Sequence, residues 1–130
     1  MKFQNLFLSE FQVLLLSGII LIILDAIFIG FNATYFKEQV ASVQRVALQV
    51  NYLGLVLCYF LLIAGLYYFV LRTHESPMYA FLLGLFVYGV FETTNLGLFK
   101  KWSLQTVLMD TVWGGVLFGT TTYLVYKILK

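Results

Sequence analysis

Residues 11–31 read FQVLLLSGIILIILDAIFIGF, an apolar run whose one charged residue is Asp25. About 20 such residues in a helix cross a hydrocarbon core roughly 30 Å thick. The run is longer than the apolar core of a secretion signal and no small-residue cleavage motif follows it, so it reads as a retained membrane helix. Three more stretches pass the same length test, at residues 50–71, 78–99 and 104–126. The expected fold is therefore all-α: a bundle of four transmembrane helices in a single integral membrane domain over residues 1–130, multi-pass, with both termini on the same side.

Composition agrees with that expectation. Of the 130 residues 62% are hydrophobic and 11% charged, against about 25% charged in soluble domains. The net charge of +2 comes from scattered Lys and Arg, unlike the dense basic footprint of a nucleic-acid binder, and that class is excluded. Cys58 is the single cysteine, which excludes an internal disulfide and any multi-cysteine metal site. Lys2, Arg72, Lys127 and Lys130 fall with the termini, while Lys37, Arg45, Lys100 and Lys101 fall at the opposite face. The positive-inside rule thus gives a tie and leaves the orientation undetermined. We call the face holding the first and third connections side B.

The connections carry their own signals. Ser76 followed by Pro77 predicts an N-cap with proline in the first turn of the third membrane helix. Lys100, Lys101 and Trp102 form an interfacial anchor, and Ser103 is placed to cap the fourth helix. In the longer first connection Phe36, Val40, Val43, Ala47 and Val50 recur at helical steps, while Lys37, Glu38, Gln39, Gln44 and Arg45 fill the other face. This predicts a short amphipathic interfacial helix between the first two membrane helices, or a helical extension of the second; both readings stand.

Three acids lie inside the apolar spans: Asp25, Glu92 and Asp110. Counting about 1.5 Å per residue puts each roughly 9 to 12 Å in from side B. Asn95 and Thr94 lie beside Glu92, and Asn51 opens the second helix at the same face. An Asp at the bilayer centre costs about 2.5 to 3.5 kcal/mol, so three acids facing lipid would cost on the order of 8 to 10 kcal/mol. They are expected to face inward and to be protonated, paired with a cation or wetted by a cavity open to side B. Helical spacing assigns inward stripes to Gly18, Ile22, Asp25 and Ile29, to Tyr88, Glu92, Asn95 and Phe99, and to Asp110, Trp113 and Leu117. Asn51, Gly54, Cys58 and Gly65 on the second helix, and the pair Gly115 and Gly119 on the fourth, offer faces for close helix approach.

The candidate residues for ligand or proton binding are thus Asp25, Glu92, Thr94, Asn95, Asp110, Trp113, Tyr88 and Asn51. No catalytic residue is identified. There is no spacing diagnostic of a metal, no nucleophilic relay, no phosphate-cradling loop and no cofactor fingerprint, so no metal or cofactor is expected. His74 lies at the face opposite the acids and reads as a solvated loop residue.

The string Phe91, Glu92, Thr93, Thr94, Asn95, Leu96, then Trp102, then Met109, Asp110, Thr111, Val112, Trp113, Gly114 resembles an uncharacterised family of predicted bacterial membrane proteins, a domain of unknown function. Leu24, Asp25, Ala26, Ile27 and Phe28 look like its first-helix signature. The likeness covers nearly the whole chain and implies a four-helix membrane fold, with no activity attached. Phe91 and Glu92 stand where that family has Tyr-Asp, Phe28 where tryptophan is common, and Ser103 where proline usually follows the tryptophan.

The expected function is a polar pocket within the membrane that binds a proton, cation or small polar solute, used in transport or channel activity. The alternative is a structural or accessory subunit of a larger membrane assembly; a lipid-acting membrane enzyme with paired acids comes third, and an enzyme is less expected than a non-enzyme. The lipid bilayer is the first partner. Because four spans are few for a transporter, a homo-oligomer or membrane-complex partners are implied.

Overall fold

Helix α1 runs Lys2–Phe31, 30 residues or about 45 Å, in a computed structural model that describes residues 2–45 and 48–129, with side chains from residue 9 onward. Its apolar span is Ser9–Phe31. The helix begins well before residue 11 because hydropathy marks where a chain can sit in lipid, whereas residues 2–10 hold no Gly or Pro to stop a helix. Asn32 ends it: the backbone turns to φ −113°, ψ 18° and the side-chain amide donates to the Phe28 carbonyl at 2.9 Å. Helix α2, Ala33–Gln44, restarts at once. Arg45, in the left-handed region at φ 62°, closes α2 with its N–H on the Ala41 carbonyl.

Of the two expectations for the first connection, a separate short helix is present between the first two long helices, and an extension of the second is not. The helix is joined to α1 through one residue and is not an extension of the next helix, since 48–50 are not helical; Ala47 lies outside the described residues. Nor does its polar face point uniformly outward, because Gln39 is the buried residue of α2.

Helix α3, Tyr52–Leu66, starts on Asn51, whose side chain accepts the Gly54 N–H at 3.1 Å. It runs directly into a π-helical turn, Tyr67–Leu71, so the expected helix over 50–71 has two kinds of winding. The chain reverses through His74, at φ 59°, which stacks on Tyr126 with centroids 4.3 Å apart. Helix α4, Pro77–Leu98, begins on Ser76 as its pattern predicts, the hydroxyl accepting Tyr79 N–H at 3.1 Å. Helix α5, Leu104–Ile128, begins on Ser103, which accepts Thr106 N–H at 3.1 Å.

These five helices and the π-turn, with no strand among the described residues, bury α5 most deeply. It packs chiefly on α4 and next on α1, and buries Thr106, Val107, Gly114, Gly115, Leu117, Phe118, Thr121, Thr122 and Val125. At the α4–α5 crossing the backbones nearly touch: a Cβ on Gly84 would overlap the Gly114 carbonyl and stand 3.0 Å from Gly115 Cα. Gly115 and Gly119 do face α4, against Leu85, Phe81 and Pro77. The apolar core joins Leu21, Leu66, Val70, Leu71, Ala80, Leu117, Phe118 and Val125.

Three helices are long and apolar enough to cross a membrane: Ser9–Phe31, Tyr52–Leu71 and Pro77–Leu98. Their outer faces carry exposed Ile19, Ile23, Ile27, Val56, Phe60, Phe86 and Val90, the surface of a protein solvated by hydrocarbon. Two expected inner faces are corrected. On α1 the inward residues around Asp25 are Ser17, Gly18 and Leu21, while Ile22 and Ile29 are exposed. On α3, Asn51, Gly54 and Cys58 are exposed and no other helix comes within 4 Å of a Cβ placed on Gly65, so among the described residues the small-residue face has no neighbouring helix pressed on it.

Candidate functional site

Asp25 sits on the inner face of α1 and is 6% exposed. Each of its carboxyl oxygens accepts a hydrogen bond from an aromatic side chain on another helix. Tyr59 on α3 donates its hydroxyl to Oδ2 at 2.5 Å, and Trp113 on α5 donates Nε1–H to Oδ1 at 2.9 Å. Trp113 is held flat by Phe28, one turn beyond Asp25, with centroids 4.4 Å apart and planes 2° from parallel. A buried acid with both oxygens occupied avoids most of the penalty of an unpaired polar group in an apolar medium. The same bonds join α1, α3 and α5.

Glu92, on α4, is 1% exposed and accepts the Trp102 indole N–H on Oε1 at 2.8 Å. Asp110 on α5 is half-buried and interacts electrostatically with Glu92 and, more weakly, with Asp25. Tyr88, half-buried on α4, interacts electrostatically with both Asp25 and Asp110; its ring lies edge-on to Phe118, with centroids 6.5 Å apart. Asn95, one turn past Glu92, is 8% exposed, and its side chain bonds to no other described residue.

The remaining candidates stand apart. Thr94 is exposed and its hydroxyl donates to the Val90 carbonyl of its own helix at 2.6 Å. Asn51 is exposed and occupied as the cap of α3. Phe99, expected on the inner stripe of α4, is 41% exposed and lies tilted against Trp102.

Three partners were not anticipated. Tyr59 sits about two turns into α3, the depth that brings it opposite Asp25, so matching depths for phenols as well as acids would have found it. Trp102 reads as an interfacial anchor by sequence, yet its N–H turns inward. Gln39 reads as part of a solvated face. In the structure its amide nitrogen donates to the Lys101 carbonyl at 3.0 Å and its oxygen accepts from Ser103 N at 3.2 Å and Thr106 Oγ1 at 2.5 Å. Tyr35 adds hydroxyl contacts with Thr106 at 2.6 Å and Ser103 at 3.1 Å. This polar bolt fixes α2 to the α4–α5 turn, beside the turn residue that supports Glu92.

Among the described residues no three His, Cys, Asp or Glu side chains are grouped as metal ligands. No curated protein matches the chain, and no solved structure does. The model of the family described as "Predicted membrane protein (DUF2177)" matches residues 11–127, nearly the whole chain, and the protein belongs to that family of membrane proteins of unknown function.

Proposed function

We propose that the chain crosses the bilayer four times, with α5 as the fourth span and α2 at the side B surface, and that its carboxyl network binds and releases a proton in the course of transport or channel activity. The observation that carries this reading is the convergence of acids from three helices, Asp110 on α5 interacting electrostatically with Glu92 on α4 and with Asp25 on α1. A proton on one such acid relieves the repulsion between like charges. Asn95, one turn past Glu92 on α4 and 8% exposed, supplies a further polar group for water or a small solute. As to the fourth span, α5 has 25 residues, about 37 Å, more than a hydrocarbon core requires. Its Thr and Asp content fits a helix that meets its neighbours more than lipid.

The test is proton flux in liposomes holding the purified protein, between about pH 5 and pH 8, with Asp110→Asn as the comparison. Flux in the wild type that is lost in the variant, at unchanged helix content and resistance to unfolding, is the expected result. Absence of flux in the wild type, with a variant that is merely less stable, refutes the proposal.

That outcome would favour a structural or accessory subunit, and one observation already leans that way. Both Asp25 oxygens and Glu92 Oε1 are taken by donors fixed elsewhere in the protein, an arrangement that suits acids serving as ties between helices.

A further inference from the structure

At side B, away from the carboxyl network, the end of α2 and the α4–α5 turn enclose a cleft of about 200 Å³. Its polar wall is Ser42, Arg45, Lys100 and Lys101, its apolar floor includes Leu98 and Phe99, and none of its lining residues is acidic. Three cations thus converge from two separate stretches of chain, and none is ion-paired to another described residue. Like charges held together without a counterion repel, and an anion between them relieves that repulsion.

The two walls are not free to drift apart. Gln39 on α2 bonds the Lys101 carbonyl and the Ser103 N–H, while the left-handed turn at Arg45 closes on the Ala41 carbonyl at 2.8 Å. The cations are therefore presented by a braced frame. The floor decides which anion fits. Leu98, 73% exposed, and Phe99 lead directly onto the apolar outside of α4, so a ligand whose phosphate meets the cations while its acyl part continues over Leu98 matches both surfaces. A free inorganic anion would use only one.

We propose that this cleft binds the phosphate of an anionic phospholipid headgroup, with Arg45, Lys100 and Lys101 as its ligands. The assignment is independent of any proton chemistry at Asp110.

The protein is purified in the presence of equal phosphatidylcholine and phosphatidylglycerol, and the retained lipid is quantified by mass spectrometry. At roughly fivefold per cation near an anionic surface, the wild type retains phosphatidylglycerol in preference by about tenfold or more, and Arg45→Gln with Lys100→Gln and Lys101→Gln brings the ratio to about one. Arg72→Gln with Lys127→Gln, at the other end of the molecule, leaves the preference in place. Equal retention in the wild type, or a preference unchanged in the triple variant, overturns the proposal. Displacement of phosphatidylglycerol by about 10 mM inorganic phosphate would assign the cleft to a soluble anion and overturn its assignment to lipid. If the triple variant does not fold, the wild type in rising salt decides: a preference that survives about 1 M salt contradicts a site built on three charges.

Discussion

The bond between Asp25 and Trp113 lends itself to a double-mutant cycle, with Trp113→Phe, Asp25→Leu and the two together. Trp113→Phe removes the indole N–H while leaving an aromatic ring against Phe28, whose stack with the tryptophan spans 4.4 Å. The single variant mixes three losses: the hydrogen bond, part of a stack worth about 0.5 to 1.5 kcal/mol, and a small cavity. In the Asp25→Leu background there is no acceptor, so the same change costs only the stack and the cavity. The difference isolates the bond. Hydrogen bonds to charged groups contribute about 1.5 to 3 kcal/mol in soluble proteins, whereas polar pairs between membrane helices average about 0.6 and reach about 1.7 kcal/mol. Asp25 is 6% exposed and the bond is 2.9 Å long, which places it where the two ranges meet, at about 1.5 kcal/mol. The assay is unfolding of the purified protein by sodium dodecyl sulfate in mixed micelles, followed by helical circular dichroism. A coupling energy below about 0.5 kcal/mol, the level at which unconnected sites add, would show that Trp113 does not hold the carboxylate and would remove the anchor from the site as described.

Two further substitutions probe the frame. Gly84→Ala drives a methyl group into the Gly114 carbonyl and against the Gly115 backbone, and is expected to cost about 1 to 3 kcal/mol in the same unfolding assay, while Gly30→Ala, where no other helix comes within 4 Å, is neutral or slightly stabilising; equal effects would contradict the close α4–α5 crossing. Gln39→Leu removes the bolt and leaves the Lys101 carbonyl and Ser103 N–H without it, a loss of about 1 to 3 kcal/mol, with faster amide exchange over residues 33–44 and little change across the crossing; unaltered exchange there would mean that α2 is held by other means.

What the sequence made legible, and what it did not, follows from the solvent. Hydropathy locates the apolar runs of α1, α3 and α4 because lipid selects for them along the whole outer face. The same signal cannot tell Ile22 from Leu21, since lipid and core are both apolar; two helical stripes pass through Asp25, and the structure takes the one through Leu21 and Phe28. Gln39 was assigned to the outside by a rule for water-soluble helices, in which polar means exposed. Here the inner contact is itself polar, and a glutamine can offer a donor and an acceptor at once. The caps at Ser76 and Ser103 were readable because their mechanism is local. The π-turn at Tyr67–Leu71 left no such mark, and neither did the inward turn of Trp102, which depends on where Glu92 lies across the turn.

The deep burial of α5 also has a consequence in time. Asp25 emerges from the ribosome 34 residues before Tyr59 and 88 before Trp113. At about 5 to 20 residues per second, its first donor arrives after roughly 2 to 7 s and its second only after roughly 4 to 18 s. The acid of α1 waits through that whole interval for α5, and Glu92 of α4, made 21 residues before Trp113, through only its last part. Tyr59 then acts as a holding partner, and a ribosome stalled before α5 leaves a nascent protein with the right segments made and its most buried helix missing.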